Sequence, residues 1–291
     1  MKTVDIEQAA ELLKAGINVA FPTETVYGLG ARVFDEKSVQ NIFRMKGRPS
    51  DNPLICHIAT LDQIYLLARE VPEQALELAQ KYWPGPLTLV LKKHPSVPQC
   101  VTGGHDTVAI RMPNHPLALK LITLVGPLVG PSANLSGRPS STTAQHVLDD
   151  FAGIEGAVLD GGPCREGIES TVISLVGEQP TILRPGVIPF PYPMGHDASP
   201  GTRYKHYSPK AKLNIYPSFD QVPASSEKRF LISTLSHPDY HLMTPATFYA
   251  LLREADDELC TEIVVVAGEM CGGLKDRLLR AASLSTLQEK I

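Results

Sequence analysis

Residues 44–59 read RMKGRPSDNPLICHIA. Lys46 and Arg48 flank a glycine ahead of a proline, Asn52 follows four residues later, and a lone His57 sits in an apolar run. Phosphate binding needs cationic donors held by a rigid turn, for which Arg supplies a planar fork and Lys a point charge. A helix C-terminus also favours a cation, which explains one such charge better than two around a glycine.

Strand periodicity adds two more groups. In PLICHIA the side chains alternate, so Ile55, His57 and Ala59 share a face; in TVAIRM, Ala109 and Arg111 share one. A lone histidine in a strand is commonly a satisfied core residue. A guanidinium buried without a partner is very costly, so Arg111 calls for an internal Asp or Glu or for a bound carboxylate. Further along, GPSANLSGRPSSTT places Ser132 and Asn134 at a strand end, in a turn rich in Gly, Pro and Ser. Ligands of open α/β sheets bind in such places, although simple turn chemistry accounts for many of them. REGIESTV and TILRPG put Ser170 and Arg184 in similar strand-edge settings.

The elements that must position these groups follow from the patterning. Asp5 with Gln8 three residues on makes a capping-box start, and DEKSVQNIFRMKG is a helix capped by Asp35. Strands are expected at INVAF, PLICHIA, LTLVLKK, TVAIRM, PLVGPS, GAVLD, TVISLV and TILRPG, with helices at about 61–82, 115–125 and 143–152. The expected fold class is α/β: a twisted mixed sheet flanked by helices over residues 1–188, then a smaller α/β (Rossmann-like) unit over 212–291. Between them, residues 189–211 are rich in Pro and Gly, an extended connection. It carries the basic, aromatic stretch GTRYKHYSPKAK.

Composition bounds the rest. The chain has 291 residues and a formal net charge of −4, so any nucleotide or RNA contact must be a local basic patch. Five scattered cysteines without a C-x-x-C pair suggest reduced thiols in a cytoplasmic protein without structural metal. The amphipathic N-terminus lacks the apolar core of a signal peptide, and no apolar run approaches a membrane span. No P-loop, dinucleotide fingerprint, H-E-x-x-H or EF-hand pattern occurs, and GPSAN misses the G-x-S-x-G elbow because Asn134 replaces the last glycine.

In this order, FPTETVYGLG, KGRPSDNPL, TVAIRMP, GPSANLSGRPSSTTAQHV, GIESTVI and ILRPG strongly resemble the YrdC-type threonylcarbamoyl-AMP synthases, and the linker and C-terminal unit resemble their longer two-domain form. The resemblance implies that L-threonine, bicarbonate and ATP give threonylcarbamoyl-adenylate and pyrophosphate. A separate transferase would then use the product to modify tRNA next to the anticodon. By motif, it implies Lys46, Arg48, Ser132 and Asn134 around the phosphates, with Asn52, Thr107, Ser140 or Thr142, and Arg184 completing the ATP contacts. Thr25, His57, Arg111 and Ser170 would hold threonine, with Arg111 clasping its carboxylate. Tyr204 or Tyr207 would close over the nucleotide, and Mg²⁺ would be held mainly by phosphates and water. The rival readings are an RNA-binding module using the same basic cleft, and a domain of a hydrogenase-maturation carbamoyltransferase. The absence of acylphosphatase-like and zinc-finger segments speaks against the second.

Overall fold

Asp5 accepts a hydrogen bond from the Gln8 amide at 2.8 Å and starts the helix Ile6–Lys14, which buries Ile6, Ala9, Ala10 and Leu13. Asp35 likewise caps the helix Glu36–Lys46, which ends at Gly47. Gly47 adopts φ 62°, a left-handed conformation that glycine accepts without steric cost. That turn redirects the chain immediately after Lys46 and fixes where Arg48 emerges.

The computed structural model describes residues 1–195 and 207–282. Among them, an eleven-stranded mixed sheet dominates. Its order is Lys2–Val4, Ala157–Leu159, Val19–Phe21, Gly28–Arg32, Leu128–Val129, Ile55–His57, Thr107–Arg111, Leu87–Lys93, Thr171–Ser174 and Thr181–Arg184, with Ala68–Glu70 pairing off this path onto Leu87–Lys93. Both faces are covered. Val39, Ile42, Leu78 and Val147 pack in the large core, while Leu13 and Leu121 pack with Phe21 in another.

The second sheet is wholly parallel, in the order Lys212–Tyr216, Glu262–Val266, Arg229–Ser233 and His241–Leu242. The helices Phe248–Asp257 and Gly272–Ala281 flank it. Its core takes in Val26 and Ile168 from the first unit beside Phe248 and Leu252, so the two units share buried apolar surface.

One local expectation needs correction. The stretch 61–82 is not one helix: Leu61–Gln63 and Ile64–Leu67 form short turns, Ala68–Glu70 is a strand, and a helix resumes at Glu73–Tyr82. Pro72 supplies the reason, because it disfavours helical backbone at the preceding residue and starts the later helix. The sequence GLGAR, for which the patterning assigns no element, forms the strand Gly28–Arg32 antiparallel to Val19–Phe21. The Phe21 ring lies 2.9 Å from where a side chain on Gly28 would begin, so glycine suits this position despite its low strand propensity.

Candidate active site

The strands Ile55–His57 and Thr107–Arg111 run parallel with His57 opposite Arg111, which puts both buried side chains in one cavity. Arg111 Nε donates to Gly85 O at 3.2 Å and Nη1 to Thr25 Oγ1 at 2.8 Å. Nη2 lies 2.7 Å from Glu24 Oε2, an ion pair buried on both sides. Arg111 therefore has the internal carboxylate partner that its burial demanded. Nε and one Nη1 N–H are committed to Gly85 and Thr25, while Nη2 faces Glu24 as an ion pair without hydrogen-bond geometry.

Thr25 is set by its own turn, where Thr23 Oγ1 donates to Val26 O at 2.6 Å and lies 2.9 Å from Thr25 Oγ1. His57 packs edge-on against Phe21, and its Nδ1 is buried without a partner among the described residues. Desolvation and the nearby Arg111 guanidinium lower its pKa to about 3, so the imidazole is neutral at physiological pH.

The loop after Leu128–Val129 also contributes to the cavity. Ser132 and Asn134 line the cavity together with Arg48. Asn134 Nδ2 donates to Leu135 O and Arg138 O at 2.8 and 3.0 Å, while its buried Oδ1 has no partner among the described residues. Arg48 Nη2 donates to Pro53 O at 3.1 Å. Ser170, Arg184 and Tyr207 also line the cavity. Arg184 Nη2 donates to Ser170 O at 2.9 Å and to its Oγ at 3.2 Å, and Ser170 Oγ lies 2.8 Å from Thr88 Oγ1.

Five expected site residues do not line the cavity. Lys46 is buried behind the loop and donates from Nζ to the carbonyls of Ser132 and Asn134. Desolvation and Arg48 depress its pKa well below the usual lysine value. Ser140 is committed to Glu169, its Oγ donating to Oε1 at 2.7 Å, and Thr142 Oγ1 lies 3.4 Å from His146 Nδ1. Asn52 is fully buried, with its side-chain amide unpaired among the described residues. Thr107 opens the strand whose other end carries Arg111, roughly 13 Å away at the usual rise per residue. Tyr204 and the segment 201–206 of the basic linker lie outside the described residues.

Other groups gain importance only in three dimensions. Glu169 lines the cavity and accepts from Arg277 Nε at 2.6 Å and from Tyr249 OH at 2.8 Å. Burial pushes its pKa up, but Arg277 and Arg184 more than offset this and hold it at about 2. Tyr207 packs against Tyr249 and under the Arg277 guanidinium. The helical spacing of Tyr249, Arg253 and Asp256 on a buried face was the available signal for an interior polar cluster. The cavity thus presents guanidinium groups, a neutral imidazole, hydroxyls and an amide, while its carboxylate is already neutralised.

Residues 11–186 match the Sua5/YciO/YrdC family, described as "Telomere recombination", and residues 192–283 match "Threonylcarbamoyl-AMP synthase, C-terminal domain". The chain belongs to the Sua5/YciO/YrdC family. A relative in Pyrococcus abyssi named threonylcarbamoyl-AMP synthase is 50% identical over 228 residues, covering 72% of this chain and 67% of that protein. One of the same name in Bacillus subtilis is 48% identical, covering 72% and 66%. The crystal structure of P. abyssi Sua5 complexed with L-threonine superposes with a TM-score of 0.89 at 40% identity, covering 96% of this chain and 94% of that one. The likeness to this Sua5 extends through both units, so the two-sheet architecture is shared with it.

Proposed function

We propose that this Sua5/YrdC-type chain is an L-threonylcarbamoyladenylate synthase, converting L-threonine, bicarbonate and ATP to threonylcarbamoyl-adenylate, pyrophosphate and water. The observation that carries the reading is one cavity lined by two chemically distinct sets of side chains: Thr25, His57 and Arg111, and Arg48, Ser132 and Asn134. The relatives' names and the threonine bound in P. abyssi Sua5 support the same assignment.

The threonine carboxylate meets the Arg111 guanidinium, and its polar groups face Thr25 and His57. Condensation of the amine with bicarbonate gives a carbamate and releases water. A carbamate oxygen then attacks the α-phosphorus as pyrophosphate leaves. No covalent enzyme intermediate is required; positioning and positive charge lower the barrier. Arg48 faces the phosphates, while Lys46 acts on them through the carbonyls that shape the Ser132–Asn134 turn. Tyr207 and the linker shield the labile carbamate from water.

Mg²⁺ is proposed to enter with the phosphates, since Glu169, the carboxylate lining the cavity, is committed to Arg277 and Ser140. Bound there, it would spread charge over the departing pyrophosphate. The adenylate would pass to a separate transferase acting on tRNA in the cytoplasm.

Pyrophosphate release from ATP, with threonine and bicarbonate each omitted in turn, tests the proposal. Release requiring both is expected. Release with neither would overturn it, and no release alongside salt-sensitive RNA binding would favour an RNA-binding module.

A further inference from the structure

The loop that carries Ser132 and Asn134 is held in part by the second unit. Asp150 Oδ2 accepts from the Leu135 amide at 3.0 Å and Oδ1 from Arg138 Nη1 at 2.6 Å. The same carboxylate is clasped by Arg253 of the second unit, Nη1 to Oδ1 at 2.9 Å and Nη2 to Oδ2 at 3.0 Å. Arg253 Nη2 also donates to Pro139 O at 2.5 Å and Ser141 Oγ at 3.3 Å. Four residues of the strip 135–141 thus depend on Arg253 directly or through one carboxylate.

A second contact repeats the arrangement. Glu169 accepts from Ser140 Oγ, and its counter-charge is Arg277 of the helix Gly272–Ala281. Arg277 Nη2 also donates to Pro185 O at 3.0 Å. Between the two, the Ser208 amide donates to Gly137 O at 2.8 Å, and Asp256 Oδ1 accepts from the Lys210 amide at 2.7 Å. The Ser208–Gly137 bond runs from main chain to main chain, so it ties the linker's exit to the loop whatever side chains surround it.

Adhesion between the units does not require this pattern. Val26 and Ile168 already pack with Phe248 and Leu252 in a shared core. The polar contacts instead converge on one loop, and each buried carboxylate there has its strongest counter-charge in the second unit. In a low-dielectric interior such paired charges hold geometry stiffly, and removing one partner strands the other. Arg111 is secured differently, by Glu24, Thr25 and Gly85 of the first unit.

We infer that Arg253 and Arg277 are positioning residues, through which the second unit sets the loop bearing Ser132 and Asn134 for the nucleotide. The inference rests on the proposed synthase reading for what the loop binds, but not for how the loop is held. Single-domain chains with this site would have to hold the loop by other means.

The test uses the full chain with Arg253→Met and Arg253→Lys. Amide hydrogen exchange of residues 132–142 is expected to accelerate at least tenfold in Arg253→Met. The KM for ATP should rise about tenfold while the calorimetric Kd for L-threonine stays within twofold, and Arg253→Lys should recover part of both losses. Should Arg253→Met not fold, Arg253→Lys carries the same readouts at smaller amplitude. Unchanged exchange in a folded variant overturns the inference, as does an equal loss of ATP and threonine affinity. If the unaltered chain releases pyrophosphate without threonine, the synthase reading fails, while the exchange data still judge the clamp.

Discussion

Arg111 Nη2 and Glu24 Oε2 lie 2.7 Å apart with both side chains buried, so the cation proposed to hold threonine is balanced from within the protein. This pair separates two roles that one substitution would confuse. Losing Arg111 removes a ligand contact and also strands Glu24; losing Glu24 leaves the cation in place but unbalanced.

Glu24→Gln is therefore expected to destabilise the fold by about 3 kcal/mol, the usual scale for breaking a buried pair. Arg111→Lys keeps the charge but loses the fork, and should weaken threonine binding more than it lowers stability. Thermal unfolding and threonine calorimetry on the two variants measure this. Equal effects of both substitutions on both quantities would refute the division of roles.

His57 supplies a prediction about pH. Its folded pKa of about 3 lies below the ordinary 6.5, so the unfolded chain takes up this proton more readily. Its contribution to stability is complete above about pH 6.5 and declines as pH falls toward 3. His146, lowered to about 4 chiefly by desolvation and then by Arg253, acts in the same direction. The His57 ring resonances should show no titration between pH 8 and 5 by NMR. A midpoint near 6.5 would place the ring in contact with water and contradict this geometry.

Much of the site around His57 and Arg111 was readable in the chain, and the reason is local. Strand alternation put His57 and Arg111 on definite faces, and a parallel pairing with His57 opposite Arg111 was enough to bring them together. The mixed sheet of the first unit and the α/β character of the second were likewise expected from short-range patterning. Lys46 shows where such reasoning stops. Its spacing from Arg48 suggested a phosphate contact, but its ammonium is spent on carbonyls 86 and 88 residues away. The Asp150–Arg253 and Glu169–Arg277 pairs span 103 and 108 residues. No local period encodes which buried arginine will meet which carboxylate.

Lys46→Met should consequently act on the loop. The carbonyls of Ser132 and Asn134 lose their common donor, and the turn that aims Asn134 relaxes. Turnover should fall roughly 10²–10³-fold, as for loss of one preorganised donor at a reacting centre. Circular dichroism should remain that of the folded protein, and threonine affinity should hold. Normal turnover would remove Lys46 from the machinery, while a comparable loss of threonine binding would mean that the two sets of side chains are not independent.

Arg277→Met tests the second carboxylate through its acid limb. Glu169 has a folded pKa of about 2 against the usual 4.5, because Arg277 and Arg184 outweigh the desolvation that would raise it. Its stabilising contribution is present above about pH 4.5 and is lost as pH falls toward 2. Without Arg277 the carboxyl pKa moves upward, so this contribution shrinks and stability at neutral pH falls. Denaturant midpoints for the parent and Arg277→Met should therefore differ most at pH 7 and converge on acidification toward pH 3. Curves that stay parallel across this range would show that Arg277 contributes through packing alone, for instance against the Tyr207 ring, and does not set the charge state of Glu169.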